Sequence, residues 1–317
     1  MKLVSFQLDT PLGPTQRLGV LTDDVVDINA ATKARFVAEG LSEPAAERLA
    51  NALTPPRIVE FIEAGQHALD TAAETLNHSI DQRFRHDIST LRLLPAVVGA
   101  PLLRDFLSFE GHLRNVYPRL GRPIPKEWYE IPAYYKGNTA SLGAHEDVIA
   151  IPPYERDLDF EFEFAAVIGR GGSDIPADKA MQHIYGYTIY NDFSARGIQA
   201  TELAVGLGPA KSKDFHHAHV LGPYLVTADE IGDPYSLQMR AWVNDEQWVD
   251  DTSSAMHWRF DRMIAHASTR ELIRPGEIFG SGTVAGGSAI ERGKALNSGD
   301  SVTLEIAGLG RLRNTIG

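Results

Sequence analysis

The chain has no cysteine among its 317 residues. Disulfides, thiol nucleophiles, iron–sulfur clusters and cysteine-ligated zinc are therefore excluded, and a reducing compartment fits. No apolar run approaches the ~20 residues needed to cross a bilayer. The opening Met-Lys-Leu-Val-Ser-Phe-Gln lacks the apolar stretch of a signal peptide, so the expectation is a cytoplasmic protein. Positive charge is in deficit: 30 Lys and Arg stand against 42 Asp and Glu, a net charge of −12. That balance argues against nucleic acid and anionic membrane as partners, since both are negative. A small anionic substrate stays admissible, because a bound cation inverts the field of a single site. Walker A, G-x-G-x-x-G after a strand, and G-x-S-x-G are all missing, as are internal repeats and polybasic runs.

What is present is ordinary globular material, 43% hydrophobic and 23% charged, enough for about two domains. Residues 1–95 read as a small α/β domain. Leu3–Phe6, Leu18–Leu21 and Val25–Ile28 look like short strands, the last pair separated by a turn at Asp23-Asp24. Ser42 with Pro44 marks a helix start, and Thr54-Pro55 a second. Few groups of convergent chemistry lie here, which suits packing or oligomerisation. Residues 96–317 are rich in Gly, Pro and short apolar runs and read as sheet-dominated. Within them, helices are expected over about Leu103–Asn115 and Ser254–Glu271. His216, His217 and His219 offer a possible transition-metal site, but three histidines in a polar loop read better as solvated surface.

The most informative stretch is Leu158-Asp159-Phe160-Glu161-Phe162-Glu163-Phe164, which alternates strictly. Strict alternation predicts a strand with an aromatic face and an acidic face. The acidic face is either solvated or neutralised by a cation, since clustered like charges near a core are costly. Oxygen-only ligands point to a hard cation, Mg²⁺, Mn²⁺ or Ca²⁺. Asp192, after the apolar run Tyr187–Tyr190, is either a further ligand or a turn residue. Asp105 and His112 are seven apart and, on the expected helix, would share one face as ligand and neighbouring base.

Taken in order, these pieces resemble the fumarylacetoacetate hydrolase family, from about Pro101 to Leu309. The matching segments are Asp105-Phe106 with His112, Glu161-x-Glu163, Asn191 to Arg196 with Gln199, Lys213-Asp214-Phe215, Arg274-Pro275-Gly276-Glu277, and Ser281-Gly282-Thr283. The resemblance implies an α+β protein: a mixed β-sandwich or roll (96–317) preceded by the small N-terminal α/β domain, as in the smaller bacterial members. It implies a divalent cation, Mg²⁺ or Mn²⁺ with Ca²⁺ also compatible, on Asp105, Glu161, Glu163 and Asp192. It makes His112 a general base oriented by Glu291, with Lys213, Arg196 and Gln199 holding substrate oxygens and developing charge. Tyr135 and Thr283 fall on substrate-contacting positions. Homodimers are common among such relatives.

The activity so implied is hydrolysis of a C–C bond in a β-diketo acid or acylpyruvate, by an imidazole-activated water. The alternatives are decarboxylation, isomerisation or hydration of 2-oxo acids on a similar cation, and a non-catalytic metal- or ligand-binding homologue. Trp128, Tyr129, Tyr134 and Tyr135 either line the site or pack ordinarily, and Arg114, Arg119 and Lys136 either meet a substrate carboxylate or are surface charges.

Overall fold

A computed structural model describes all residues, Met1–Gly317. Its α+β architecture is built on a twelve-stranded mixed sheet and a five-stranded sheet. At the centre of the large sheet lie Ile184–Asp192, Phe162–Ile168, Ile278–Gly280 and Leu103–Phe106, side by side in that order. The small sheet runs Glu246–Thr252, Gln238–Val243, Ser301–Ile306, Gly310–Ile316, Val148–Ile149.

The central strands are buried on both faces because their residues alternate between two cores. Phe162, Phe164, Ala166 and Ile168 enter a cluster shared with Met239, Ala241, Leu304 and Leu312 of the small sheet. Ala165 and Val167 point the other way, into a cluster with Ile58, Phe61, Ile62, Ala68 and Ala72 of the N-terminal helices. Those helices begin near the expected signals, at Glu43 after Ser42 and at Ile58 after Thr54-Pro55. The expected N-terminal strands are Lys2–Thr10, Gly13–Leu21 and Val25–Asp27. They belong to the large sheet: Lys2 and Leu3 pair with Val226 and Leu225 of strand His219–Thr227.

Four local expectations are corrected. Leu103–Asn115 is not one helix: Leu103–Phe106 is a strand and only Glu110–Val116 is helical. All four strand residues are buried, and they pair with Ile278–Gly280 on one side and Tyr134–Gly137 on the other. Sheet partners outweigh the helical spacing of Leu103, Phe106 and Leu107, so Asp105 and His112 line one cavity from separate elements and share no helix face. The helix expected over Ser254–Glu271 shrinks to Phe260–Ser268, preceded by a single 3₁₀ turn. The acidic stretch is interrupted: Leu158–Asp159 pairs with Ser194–Ala195, and the long strand restarts at Phe162. The histidine run is not all surface, since His219 is fully buried.

A candidate metal centre beside a histidine–glutamate pair

Three strand ends bring three acids together. Asp105 lies on Leu103–Phe106, Glu163 on Phe162–Ile168, and Asp192 ends Ile184–Asp192. One carboxylate oxygen from each falls within 4.8 Å of the others, and all three residues are buried. Close approach depends on Gly280, where a β-carbon would stand 2.5 Å from Asp105 Oδ1. Gly282, at φ +79°, turns the chain so that its N–H donates to Glu163 Oε2 at 2.7 Å.

Asp105 Oδ1 and Glu163 Oε1 are buried without a hydrogen-bond partner, and Asp192 Oδ1 has only the His219 ring behind it, with Nδ1 at 3.1 Å. Orphaned carboxylate oxygens in a core are costly, and three convergent carboxylates are the donor set a hard divalent cation takes. Formal charge agrees. Five buried acids, Asp105, Asp159, Glu161, Glu163 and Asp192, face two cations, Arg196 and Lys213. Burial and the neighbouring Asp192 push Asp105 well above the usual carboxylate range; burial and Asp105 do the same to Glu163. Asp192 is also buried, but Lys213 and His219 overcome the desolvation and hold it low.

Glu161, the fourth expected ligand, stands beside this triad. Its Oε1 accepts from Arg196 Nη2 at 2.7 Å and its Oε2 from Lys213 Nζ. Arg196 outweighs burial and brings its pKa down to about 2. Lys213 Nζ also reaches Asp192, so the ammonium bridges two acids. Tyr135 Oη donates to Asp192 Oδ2 at 2.8 Å. Gln199 Oε1 accepts from Arg196 Nη1 at 2.9 Å, and Thr283 lines the same cavity, of about 760 Å³.

His112 lies on the short helix after the strand that carries Asp105, and it faces the cavity. Its Nδ1 is 2.8 Å from Glu291 Oε1, and its Nε2 is 4.0 Å from Glu161 Oε1. Glu291 is itself tightly held. Asn115 Nδ2 donates to Oε2 at 2.6 Å, the Gly286 N–H to Oε2 at 2.7 Å, and Ser288 Oγ to Oε1 at 3.1 Å. Burial raises the Glu291 pKa, but His112 and these donors reverse the shift and keep it below its ordinary value. An ionised Glu291 accepts a hydrogen bond from Nδ1–H, which leaves Nε2 as the free acceptor toward the cavity.

Residues 102–317 match the family described as fumarylacetoacetate (FAA) hydrolase C-terminal. The chain belongs to the fumarylacetoacetate hydrolase family. Among curated relatives, a mitochondrial oxaloacetate tautomerase of Xenopus laevis is 31% identical over 322 aligned positions, covering 100% of this chain and 90% of the relative. Two solved structures share the fold at 20% identity. The fumarylacetoacetate hydrolase of Exiguobacterium antarcticum superposes with a TM-score of 0.74 over 100% of this chain and 99% of that one. The maleylpyruvate hydrolase of Sphingobium sp. SYK-6, solved with manganese(II) and pyruvate, does so at 0.73 over 100% and 98%. No helix is long and apolar enough to cross a membrane.

Several supports in this site escape sequence reasoning. Asp159, on the acidic face, does not join the triad. It accepts from Arg196 Nε at 2.8 Å and from the Ala289 and Ile290 N–H groups, which fastens the Glu291 segment to the arginine. His219 sits behind Asp192: its Nδ1 is 2.8 Å from Tyr190 Oη and 3.1 Å from Asp192 Oδ1, and its Nε2 is 3.4 Å from Asp214 Oδ1. Its position at the start of an apolar strand, Val220-Leu221, was the available signal. Glu277 of the Arg-Pro-Gly-Glu segment is buried against the fully buried Arg104, with Arg104 Nη2 at 3.1 Å, so this segment clamps two central strands together. Of the other residues singled out, Tyr134 and Tyr135 line the cavity. Trp128 is buried and donates to the Leu107 carbonyl at 2.6 Å. Arg114 pairs with Glu110 and Lys136 with Glu271.

The raised acids have a measurable consequence. Folded Asp105 and Glu163 retain protons that an unfolded chain loses near its ordinary carboxylate pKa of about 4. Above that point the folded state binds more protons, so its stability declines as pH rises. His219, raised by Asp192 and Asp214 against the effect of burial, adds stability below about pH 6.5 that is lost above it, with the same sign. Glu161 and Asp192 are depressed and act only below about pH 4. In EDTA, the melting temperature is expected to fall between about pH 5 and pH 8. With Mn²⁺ the decline flattens and metal uptake releases protons, measurable by calorimetry in buffers of different ionisation enthalpy. A melting temperature that climbs with pH in EDTA contradicts this assignment.

Proposed function

We propose that this chain is a divalent-metal-dependent hydrolase that cleaves the C–C bond of a 2,4-dioxo acid of the acylpyruvate class. The observation that carries the reading is the His112–Glu291 pair, held 2.8 Å apart, with His112 lining the cavity that Asp105 and Glu163 of the acidic triad also line. Asp105, Glu163 and Asp192 would hold the cation, with Glu161 beside them. Bound there, a divalent ion polarises adjacent oxo groups and favours enolate charge in the leaving fragment.

The chain's own residues supply the remainder. His112 Nε2 takes a proton from water, and Glu291 stabilises the resulting imidazolium. The water oxygen adds to the distal carbonyl carbon. The Lys213 ammonium has three donors, and the two carboxylates Glu161 and Asp192 leave one for the developing oxyanion. The Gln199 amide, whose oxygen faces Arg196, offers its NH₂ group to the same region. Collapse of the adduct breaks the C–C bond, and its electron pair goes to the pyruvate-derived carbon as an enolate. The proton held by His112 returns to that carbon, giving a carboxylate and pyruvate.

A second reading is keto–enol tautomerisation of oxaloacetate, favoured by the full-length match to the Xenopus laevis relative. It needs one base and a stabilised enolate, which His112 and the acidic centre also provide. Oxaloacetate is a small dianion, however, and half of the cavity is apolar wall that it would leave unused. Incubation of benzoylpyruvate and acetylpyruvate with Mn²⁺-loaded protein in ¹⁸O-water separates the two. Hydrolysis places one ¹⁸O in the released acid and yields pyruvate stoichiometrically. Loss of enol absorbance from oxaloacetate without any cleavage of an acylpyruvate selects the tautomerase.

A further inference from the structure

The cavity has two unlike halves. One is ionic, around Asp105, Glu163 and Lys213. The other is carbon-lined: Val116, Tyr117 and Leu120 come from one segment, Ala200, Leu203 and Ala204 from a second. The second wall belongs to helix Arg196–Val205, which has no fully buried residue. An amphipathic helix normally sinks its apolar stripe into a core. This one is tied instead by polar contacts near both ends. Glu155 accepts from the Ile198 N–H at 3.2 Å, and Glu202 accepts from the N–H groups of Ala210, Lys211 and Ser212 at 3.1, 2.6 and 3.3 Å. Leu203 is left 50% exposed, and Leu120 of the other segment 49%. Two apolar segments thus line the cavity that Asp105 and Glu163 also line.

We propose that this half is the subsite for an apolar acyl group, aromatic or extended aliphatic, on the dioxo acid bound at the triad. The proposal deepens the hydrolase reading above and rests on it for the identity of the reacting carbons. Charge points the same way. Among the basic side chains lining the cavity, Arg196 and Lys213 are held by carboxylates and His112 is bonded to Glu291. Arg122 alone makes no ion pair; it is exposed and stacks 5.1 Å from the centre of the Tyr117 ring. A carboxylate meeting so solvated a guanidinium gains at most about fivefold in affinity. Burying a Leu- or Phe-sized group between the walls gains roughly 10- to 100-fold. Apolar burial therefore dominates selection at this end.

Binding tests the subsite without turnover. Calorimetric titration of the Mn²⁺-loaded protein with straight-chain 2-oxo acids, from pyruvate to 2-oxooctanoate, is expected to show Kd falling about fourfold per methylene until the walls are covered. Leu120→Ser with Leu203→Ser flattens that gradient; both positions are exposed, so an unchanged melting temperature verifies the fold. A Kd independent of chain length overturns the proposal. So does tighter binding of a 2-oxo diacid than of the monoacid of equal length. Turnover is scored separately: a binding gradient with no cleavage of benzoylpyruvate supports the subsite and rejects the hydrolase reading, while cleavage with a flat series does the reverse.

Discussion

His112→Ala is expected to lower kcat for acylpyruvate cleavage by about 10²- to 10⁴-fold while leaving the bound metal in place. The imidazole lines the cavity with one nitrogen 2.8 Å from Glu291, which leaves the other directed away from that carboxylate. Removing it takes away the proton acceptor but none of the three carboxylates that converge. Glu291→Gln is a milder test of the same pair. The amide cannot stabilise imidazolium, so kcat falls and KM changes little, provided Asn115 and Gly286 still hold the side chain. Steady-state kinetics beside elemental analysis of the purified variants decides the matter. Wild-type turnover in His112→Ala removes the base assignment; loss of metal in the same variant shows that the imidazole serves the cation instead.

Glu163→Gln is expected to weaken Mn²⁺ binding by at least ~100-fold, beyond the usual cost of altering a ligand's supporting shell. The substitution keeps shape and removes a charge from a triad in which Asp105 and Glu163 already repel each other. The metal-free variant should therefore melt at or above the temperature of metal-free wild type at pH 8, although its metal-loaded form is lost. Opposite signs for the two states are the diagnostic result. A variant destabilised in EDTA as well would mean that Glu163 acts mainly through its hydrogen bond from the Gly282 N–H. Undiminished metal content in the purified variant would remove it from the ligand set.

The chemistry of this site was more legible in the sequence than its local geometry. The order Asp105, His112, Glu161-x-Glu163, Asp192, Lys213 and Glu291 anticipated a carboxylate cluster beside an imidazole–carboxylate pair through its resemblance to a family, whereas the residues taken singly left bland readings open. Secondary structure around Asp105 was misread for a physical reason. Leu103, Phe106 and Leu107 satisfy helical spacing, yet the strand partners that decide the matter, Ile278–Gly280 and Tyr134–Gly137, are remote in sequence. Alternation from Leu158 to Phe164 correctly divided aromatics from acids. It could not show that the acidic side is also covered, since that depends on Arg196, Lys213 and the Gly282 and Ala289 backbone, all remote in sequence. His219 stayed hidden because a histidine next to two others reads as loop, and only the register Asp192↔His219 places it behind a carboxylate.

The pairing of Lys2 and Leu3 with Val226 and Leu225 has a consequence for biosynthesis. The first strand leaves the ribosome long before its partner exists. At ~5–20 residues per second, translating the intervening chain takes roughly 10–45 s. During that interval Phe6 and Gln7 can already pair with Leu93 and Arg92, so the unsheltered edge of the nascent hairpin is confined to its first residues.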